Sequence, residues 1–215
     1  MHTQPILAFD TACHGASVAL VARGTTATLR LEQSAQAAQL LPAIDGLMRE
    51  AGVAYRDLGC IVTTLGPGSF TGVRIGLATL HGLVLVTGTP VRTLSTLAAM
   101  AWRVALSTEA PARFHIALRA GKGELYTQPF VTQTGKVEAQ GEITLVAEDF
   151  TAWDTPCFGN HLPDTDPHHL PGPDAATLCT IATQLDITPL AAALPLYIRP
   201  PDAVAGARPA WLGAN

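Results

Sequence analysis

The eleven residues Gly66-Pro-Gly-Ser-Phe-Thr-Gly-Val-Arg-Ile-Gly76 join a β-rich apolar run, Cys60 to Leu65, to the most apolar stretch of the chain. A glycine-rich turn from strand to helix leaves unpaired N–H groups at the helix N-terminus, where either an anion or a second backbone can approach. The lysine that completes a GxxxxGK[ST] phosphate loop is absent. Two readings follow. In one, Gly66, Gly68, Ser69 and Thr71 sit beside a nucleotide phosphate; in the other, which the residues favour, they form a tight turn with Ser69 or Thr71 as the helix cap. Glycines inside a helix cost about 1 kcal/mol each relative to alanine. Gly72, Gly76 and Gly82 therefore ask for another backbone packed closely against them.

Around this string the pattern alternates between strands and helices. Ile6 to Phe9, ending at Asp10, then Ser17 to Val21 and Thr26 to Leu31 read as three short antiparallel strands separated by small turn residues. Leu40, Leu41, Ile44, Leu47 and Met48 recur at helical spacing within Gln33 to Gly52, with Ser34 as the expected N-cap and Gly52 as the stop. Val73 to Thr87 reads as a buried helix, shorter than the ~20 residues needed to cross a bilayer. Pro90 to Arg92 reads as a strand, and Ser95 caps a helix from Thr96 to Leu106. The first part is thus βββ-α-β-α-β-α.

After Thr108 to Ala112 the β pattern restarts with Phe114 to Leu118, Glu124 to Val131 and Val137 to Leu145, turning at Gly121 to Gly123 and Thr134-Gly135. A short strand at Pro156 to Gly159, a loop from His161 to Pro173 and a helix from Ala175 to Leu185 follow. The second part opens like the first and is shorter, which suggests an internal duplication.

Composition narrows the function. Of 215 residues, 48% are hydrophobic and 14% charged, so disorder is excluded. Thirteen Lys and Arg stand against 17 Asp and Glu, a net charge of −4, which leaves no strong positive field for a phosphate backbone. Only 6% of residues are aromatic, which disfavours binding of single strands through stacked bases. Met1 to Asp10 has no basic and apolar leader pattern, so a cytoplasmic location is expected. The four cysteines lack CxxC spacing and are expected to be reduced and buried.

Catalytic constellations are sparse. The seven histidines form no HExxH or HxxxH pair, no GxSxG elbow occurs, and the loop from His161 to His169 reads as solvated. No catalytic residue and no metal ligand is assigned. Asp10 and Thr11, at the end of the first strand, could approach a metal-bound phosphate, although a plain turn accounts for them equally well.

Ile6-Leu-Ala-Phe-Asp-Thr-Ala with Ser17-Val-Ala-Leu20, the glycine string, Ser95-Thr-Leu97, Gly123-Glu-Leu-Tyr126 and Pro195-Leu-Tyr-Ile-Arg199 together resemble the TsaB (YeaZ) family, in the same order along nearly the whole chain. These are bacterial tRNA threonylcarbamoyladenosine biosynthesis proteins, also described as glycoprotease-like. The resemblance implies an α/β, actin-like ATPase fold of the ribonuclease H-like, sugar kinase and Hsp70 kind. Residues 1–109 would form the first lobe and residues 110–215 a shortened second lobe with the C-terminal segment. It also implies a non-catalytic partner of TsaD, the subunit that transfers threonylcarbamoyl to N6 of adenosine 37 in tRNAs decoding ANN codons. The ATPase TsaE would be a further partner, tRNA an indirect one, and a homodimer would form when the chain is alone. No cofactor is implied for this chain itself; ATP or ADP with Mg would sit at the partner or the interface.

The implied partner surface is the helix pair Gln33 to Gly52 and Val73 to Thr87, with Leu40, Ile44, Leu47, Gly72, Arg74, Gly76, Leu80 and Leu83. Two departures from the family pattern stand out: Gln36 where a histidine is frequent, and Arg119-Ala-Gly-Lys-Gly123 ahead of Glu124 in place of an Asp-Ala-Arg pattern. The alternatives are a small actin-fold nucleotide hydrolase or kinase using Asp10 and Thr11, and a metallopeptidase-like protein.

Overall fold

The structure is a computed structural model that describes residues 4–13, 15–133 and 135–199. Its first sheet holds β1 (Ile6–Asp10), β2 (Ala16–Ala22), β3 (Thr25–Leu31), β4 (Cys60–Thr64) and β5 (Val91–Leu94) in the order β3-β2-β1-β4-β5. The first three strands form the expected antiparallel meander, and β4 and β5 join parallel to β1.

Strand alternation decides which helices this sheet accepts. Leu7 lies opposite Leu20 and Phe9 opposite Val18 on one face, whereas Ala8 lies opposite Ala19 on the other. Onto the large-residue face pack α1 (Gln36–Glu50) and α2 (Phe70–Thr87), through Leu40, Ile44, Leu47, Met48, Val73, Leu77 and Leu80. The small-residue face lets α4 (Ala175–Ile181) come close enough for the Cys179 thiol to donate to the Ile6 and Ala19 carbonyls at 3.7 and 3.8 Å. The Ala175 N–H at the head of α4 donates to Ser17 Oγ at 3.0 Å.

The second sheet repeats the plan. It consists of β6 (Arg113–Gly121), β7 (Glu124–Gln133), β8 (Lys136–Ala139), β9 (Thr144–Ala147) and β10 (Cys157–Gly159), with β6, β7 and β8 antiparallel and β10 parallel to β6. A meander followed by a parallel strand beside its first member is the ribonuclease H-like arrangement, and its occurrence twice makes this the actin-like ATPase fold. The helix α3 (Thr96–Ala105), which precedes the second sheet in sequence, lies on it through Leu97, Met100, Ala101 and Val104 against Phe114, Ile116 and Phe130. The sheets thus exchange helices: α3 covers the second, α4 the first.

The structure differs from the sequence reading at four elements. The expected strand from Val137 to Leu145 is two strands, β8 and β9, both paired with β7. Pro129 in β7 has no N–H to give, so the ladder lapses beside it and the Gln128 side chain donates instead to the Gly141 carbonyl at 2.7 Å. Ser34 does not cap α1; the cap residue is Ala35, which offers no side-chain acceptor. α4 ends at Ile181 and runs into a single 3-10 turn, Ala182–Gln184, four residues short of the expected helix end. Finally, α2 begins at Phe70 and is not a buried helix. Gly72, Val73, Gly76, Leu77 and Leu80 face the sheet, while Leu85 and Val86 are 84% and 86% exposed. By length and composition alone α2 could cross a bilayer, and its contacts with the first sheet account for only one apolar flank. His2, His14 and Thr134 lie outside the described residues.

Candidate functional site

Where β1 ends, its chain turns through Thr11, Ala12 and Cys13 directly under the glycine string. The Ser69 N–H donates to the Ala12 carbonyl at 2.7 Å, and the Thr11 hydroxyl donates to the Gly72 carbonyl at 2.7 Å. A Cβ on Gly68 would collide with the Ala12 carbonyl, and one on Gly72 with the Thr11 carbonyl. At Gly76 it would meet the Thr11 hydroxyl. The second backbone that the glycines ask for is therefore this turn. Gly82 has nothing near it and lies exposed, so the packing argument does not extend to it. Ser69 caps α2, its Oγ accepting from the Gly72 N–H at 3.2 Å, while Thr71 points outward.

Asp10 and Thr11 are only 3% and 2% exposed. The Asp10 carboxylate accepts from the Thr64 hydroxyl and from the backbone N–H groups of Ala12 and Cys13. Burial pushes its pKa up to about 6, and those three donors restrain the rise. The Cys13 thiol is held well above its ordinary range by burial and by the Asp10 charge.

Above the turn, between the two sheets, lies a cleft of about 610 Å³. One wall is Cys13, Ser69 and Phe70; the other is Arg119, Tyr126 and Asn160; residues 196–199 run across one side. Arg119 is fixed in place. Its Nε donates to Glu148 at 2.8 Å, its Nη2 to the His161 carbonyl at 3.3 Å, and its backbone N–H to Asn160 Oδ1 at 2.8 Å. Of the residues singled out from sequence, Gly68 and Ser69 reach the cleft; Asp10, Thr11, Gly66 and Thr71 do not line it. Tyr126, Asn160, Tyr197 and Arg199 escaped attention as site residues, although two of the quoted motifs, Gly123 to Tyr126 and Pro195 to Arg199, contain three of them.

A magnesium-bound nucleotide, which the fold family implies, does not fit these residues. Holding a hard divalent cation takes oxygen ligands, carboxylates foremost, and among the described residues lining the cleft there is no Asp or Glu. The one carboxylate at the strand end is buried and already has three donors. Among the described residues no group of three His, Cys, Asp or Glu could hold a metal ion.

The expected partner surface needs a correction at the level of side chains. Leu40, Ile44, Leu47 and Leu80 are at most 7% exposed, and Gly72 and Gly76 are buried, because they form the contact of α1 and α2 with the first sheet. Leu83 is half-buried, and Arg74 is exposed. What the helix pair presents outward is Leu41, 51% exposed, together with Leu85 and Val86. At the head of α2 the Arg74 guanidinium lies 3.6 Å from the Phe70 ring centre and donates to the Tyr197 hydroxyl at 2.9 Å.

Comparison with known proteins places these features in context. Residues 30–156, more than half of the chain, match the family described as TsaD: tRNA N6-adenosine threonylcarbamoyltransferase. The tRNA threonylcarbamoyladenosine biosynthesis protein TsaB of Escherichia coli (strain K12) is 38% identical over 125 residues, 56% of this chain and 52% of that protein. A tRNA N6-adenosine threonylcarbamoyltransferase of Erythrobacter litoralis is 43% identical over 56 residues, 26% of this chain and 16% of that protein. The solved structure of YeaZ from Pseudomonas aeruginosa superposes with a TM-score of 0.76 at 28% identity, covering 91% of this chain and 100% of that one. The chain spans about half the length of the curated relatives it matches.

Proposed function

This chain belongs to the tRNA N6-adenosine threonylcarbamoyltransferase (TsaD) family and, within it, to the TsaB (YeaZ) proteins, and from that premise we propose that it is a non-catalytic partner subunit in the formation of threonylcarbamoyladenosine in tRNA. The observation that carries the reading is the apolar flank of α2 that no described residue covers, Leu85 and Val86, with Leu41 of α1 also exposed. Burying a leucine or valine side chain contributes about 1.5–3 kcal/mol, so docking this flank on another protein gives a larger return than leaving it in water. The cleft is in keeping with this reading, since among the described residues that line it there is no Asp or Glu to hold a metal-bound phosphate.

In this proposal the first lobe, residues 1–109 joined by α4, which packs on its sheet, carries the docking flank, and the second sheet, β6 to β10, belongs to a second lobe reduced in size. The partner is a TsaD subunit of related fold. TsaE and tRNA join through that assembly, and the same flank pairs two copies of this chain when no partner is present. The assembly works in the cytoplasm on adenosine 37 of tRNAs that decode ANN codons.

Depleting the protein and measuring threonylcarbamoyladenosine in bulk tRNA tests the proposal. The modification should fall; an unchanged level overturns it. Calorimetry with ATP and Mg²⁺ addresses the rival reading as a nucleotide hydrolase or kinase, for which a stoichiometric heat with the isolated chain would count.

A further inference from the structure

The Pro195-Leu-Tyr-Ile-Arg199 motif has no part in the docking flank, yet it is bonded to both sheets. On the side of the first sheet its attachment is deep. Ala193 is 1% exposed, with His81 Nε2 at 3.0 Å from its carbonyl. The Leu196 N–H donates to the Leu65 carbonyl at 2.7 Å, and the Tyr197 ring stands 5.6 Å from Phe70, with Arg74 donating to its hydroxyl. On the side of the second sheet the attachment is shallow. Ile198 packs at the margin of the Leu118 and Tyr126 cluster, and the Arg199 guanidinium pairs with Glu124, also reaching the Ala120 and Gly121 carbonyls at 3.4 and 3.5 Å. The Glu124 side chain is 40% exposed and that of Arg199 20%.

Strong anchorage at one end and a partly exposed ion pair at the other describe a strap hinged on the first sheet. We propose that residues 193–199 form a latch across the cleft between the sheets, pinned to the hairpin of β6 and β7 by Arg199 and Glu124, and that release of this pin opens the cleft. An ion pair that keeps contact with water is weakened and screened by salt, so this pin, at the margin of the second sheet, is one that a docking partner can undo. The deep end, through Tyr197, stays in place, and the movement is confined to Ile198 and Arg199. Opening exposes the wall that carries Cys13, the one described cysteine that is only partly covered and that lines the cleft. This inference does not depend on the role in tRNA modification.

Cys13 supplies the readout. Alkylation of the full chain by a maleimide, followed residue by residue by mass spectrometry, should be about fivefold faster at Cys13 in Arg199→Ala and in Glu124→Gln than in the wild type. Cys60, Cys157 and Cys179 should keep their slow rates. In the wild type, raising NaCl from about 0.05 to about 0.5 M should speed labelling of Cys13 alone, because the Debye length falls from about 14 to about 4 Å; in Arg199→Ala that response should vanish. Equal Cys13 rates in folded variants and wild type overturn the latch. So does a parallel rise at all four cysteines, which would report general loosening. The salt arm uses the unmodified protein, so an absence of any salt response overturns the proposal even if both variants fail to fold.

Discussion

The two sheets start from one strand plan and are covered in opposite ways. The first is enclosed on both faces by helices, α1 and α2 on the large-residue side and α4 on the small-residue side. The second has α3 on one face only. Its other face, carrying Ala117, Leu125 and Cys157, is roofed by the loop after β9, where Trp153 lies 4.7 Å from Phe150 and 5.1 Å from His115. Duplication of a strand plan therefore does not duplicate its helices. The half that kept them also has helix surface to spare for a partner, while the half that lost them kept one wall of a cleft.

The sharpest way to break this contrast is to attack the packing of the first half. Gly72→Leu drives a side chain into the Thr11 carbonyl, and the folded state should lose more than about 4 kcal/mol, seen as loss of a cooperative urea transition. Gly82→Ala on the same helix meets nothing and should instead stabilise by about 0.5–1 kcal/mol. If the two changes cost the same, close approach of the β1 turn is not what the glycine string is for.

Asp10→Asn comes next. The folded pKa near 6 lies above the ordinary 3.8, so the fold binds the Asp10 proton more tightly than the unfolded chain does. That contribution is fully present below about pH 3.8 and is lost as pH rises to about 6; at neutral pH the buried charge costs about 3 kcal/mol. The asparagine variant should therefore gain stability relative to wild type as pH rises from about 4 to about 6, and the gain should level off above pH 6. A difference in melting temperature that does not change with pH would refute the buried carboxylate.

In the second half, Trp153→Ala removes the roof of the loop-covered face and should cost about 2 kcal/mol, since the ring is only half-buried. A cost near zero would mean that this face stands without cover. Leu85→Lys with Val86→Lys should have the smallest effect on stability, within about 0.5 kcal/mol, and a large one on association. Sedimentation should show loss of self-association and of binding to a TsaD subunit. Unimpaired assembly by a folded double variant places the docking flank elsewhere.

Much of this was legible in the sequence because local chemistry writes it there. The meander from Ile6 to Leu31 announces itself by alternation and glycine turns, and Ser69 and Ser95 cap the helices that follow them. What was not legible depends on distant partners. Nothing near Val137 to Leu145 reveals that Pro129, on the neighbouring strand, interrupts its ladder. An acidic residue at a strand end reads the same whether it faces water or, like Asp10, the hydroxyl of Thr64. Helical spacing marked Leu40, Ile44 and Leu47 as one apolar stripe but could not say that the first sheet takes it. The cleft was half legible: Arg119 and Tyr197 stood inside quoted motifs, and only folding brings them to one opening.

The exchange of helices has a consequence for the order in which the molecule can be made. The small-residue face of the first sheet is closed by α4, whose Cys179 bonds to Ile6 and whose Ala175 bonds to Ser17. More than 150 residues of chain separate those partners, and at a synthesis rate of about 5–20 residues per second the first strands wait roughly 8–30 s on the ribosome before their cover exists. For that interval Ala8, Ala19 and Val62 have, beyond their own sheet, only Ala99 and Trp102 of α3 to share their cluster. Closure of the first half thus waits on α4, and a chain truncated after residue 109 should aggregate through this uncovered face.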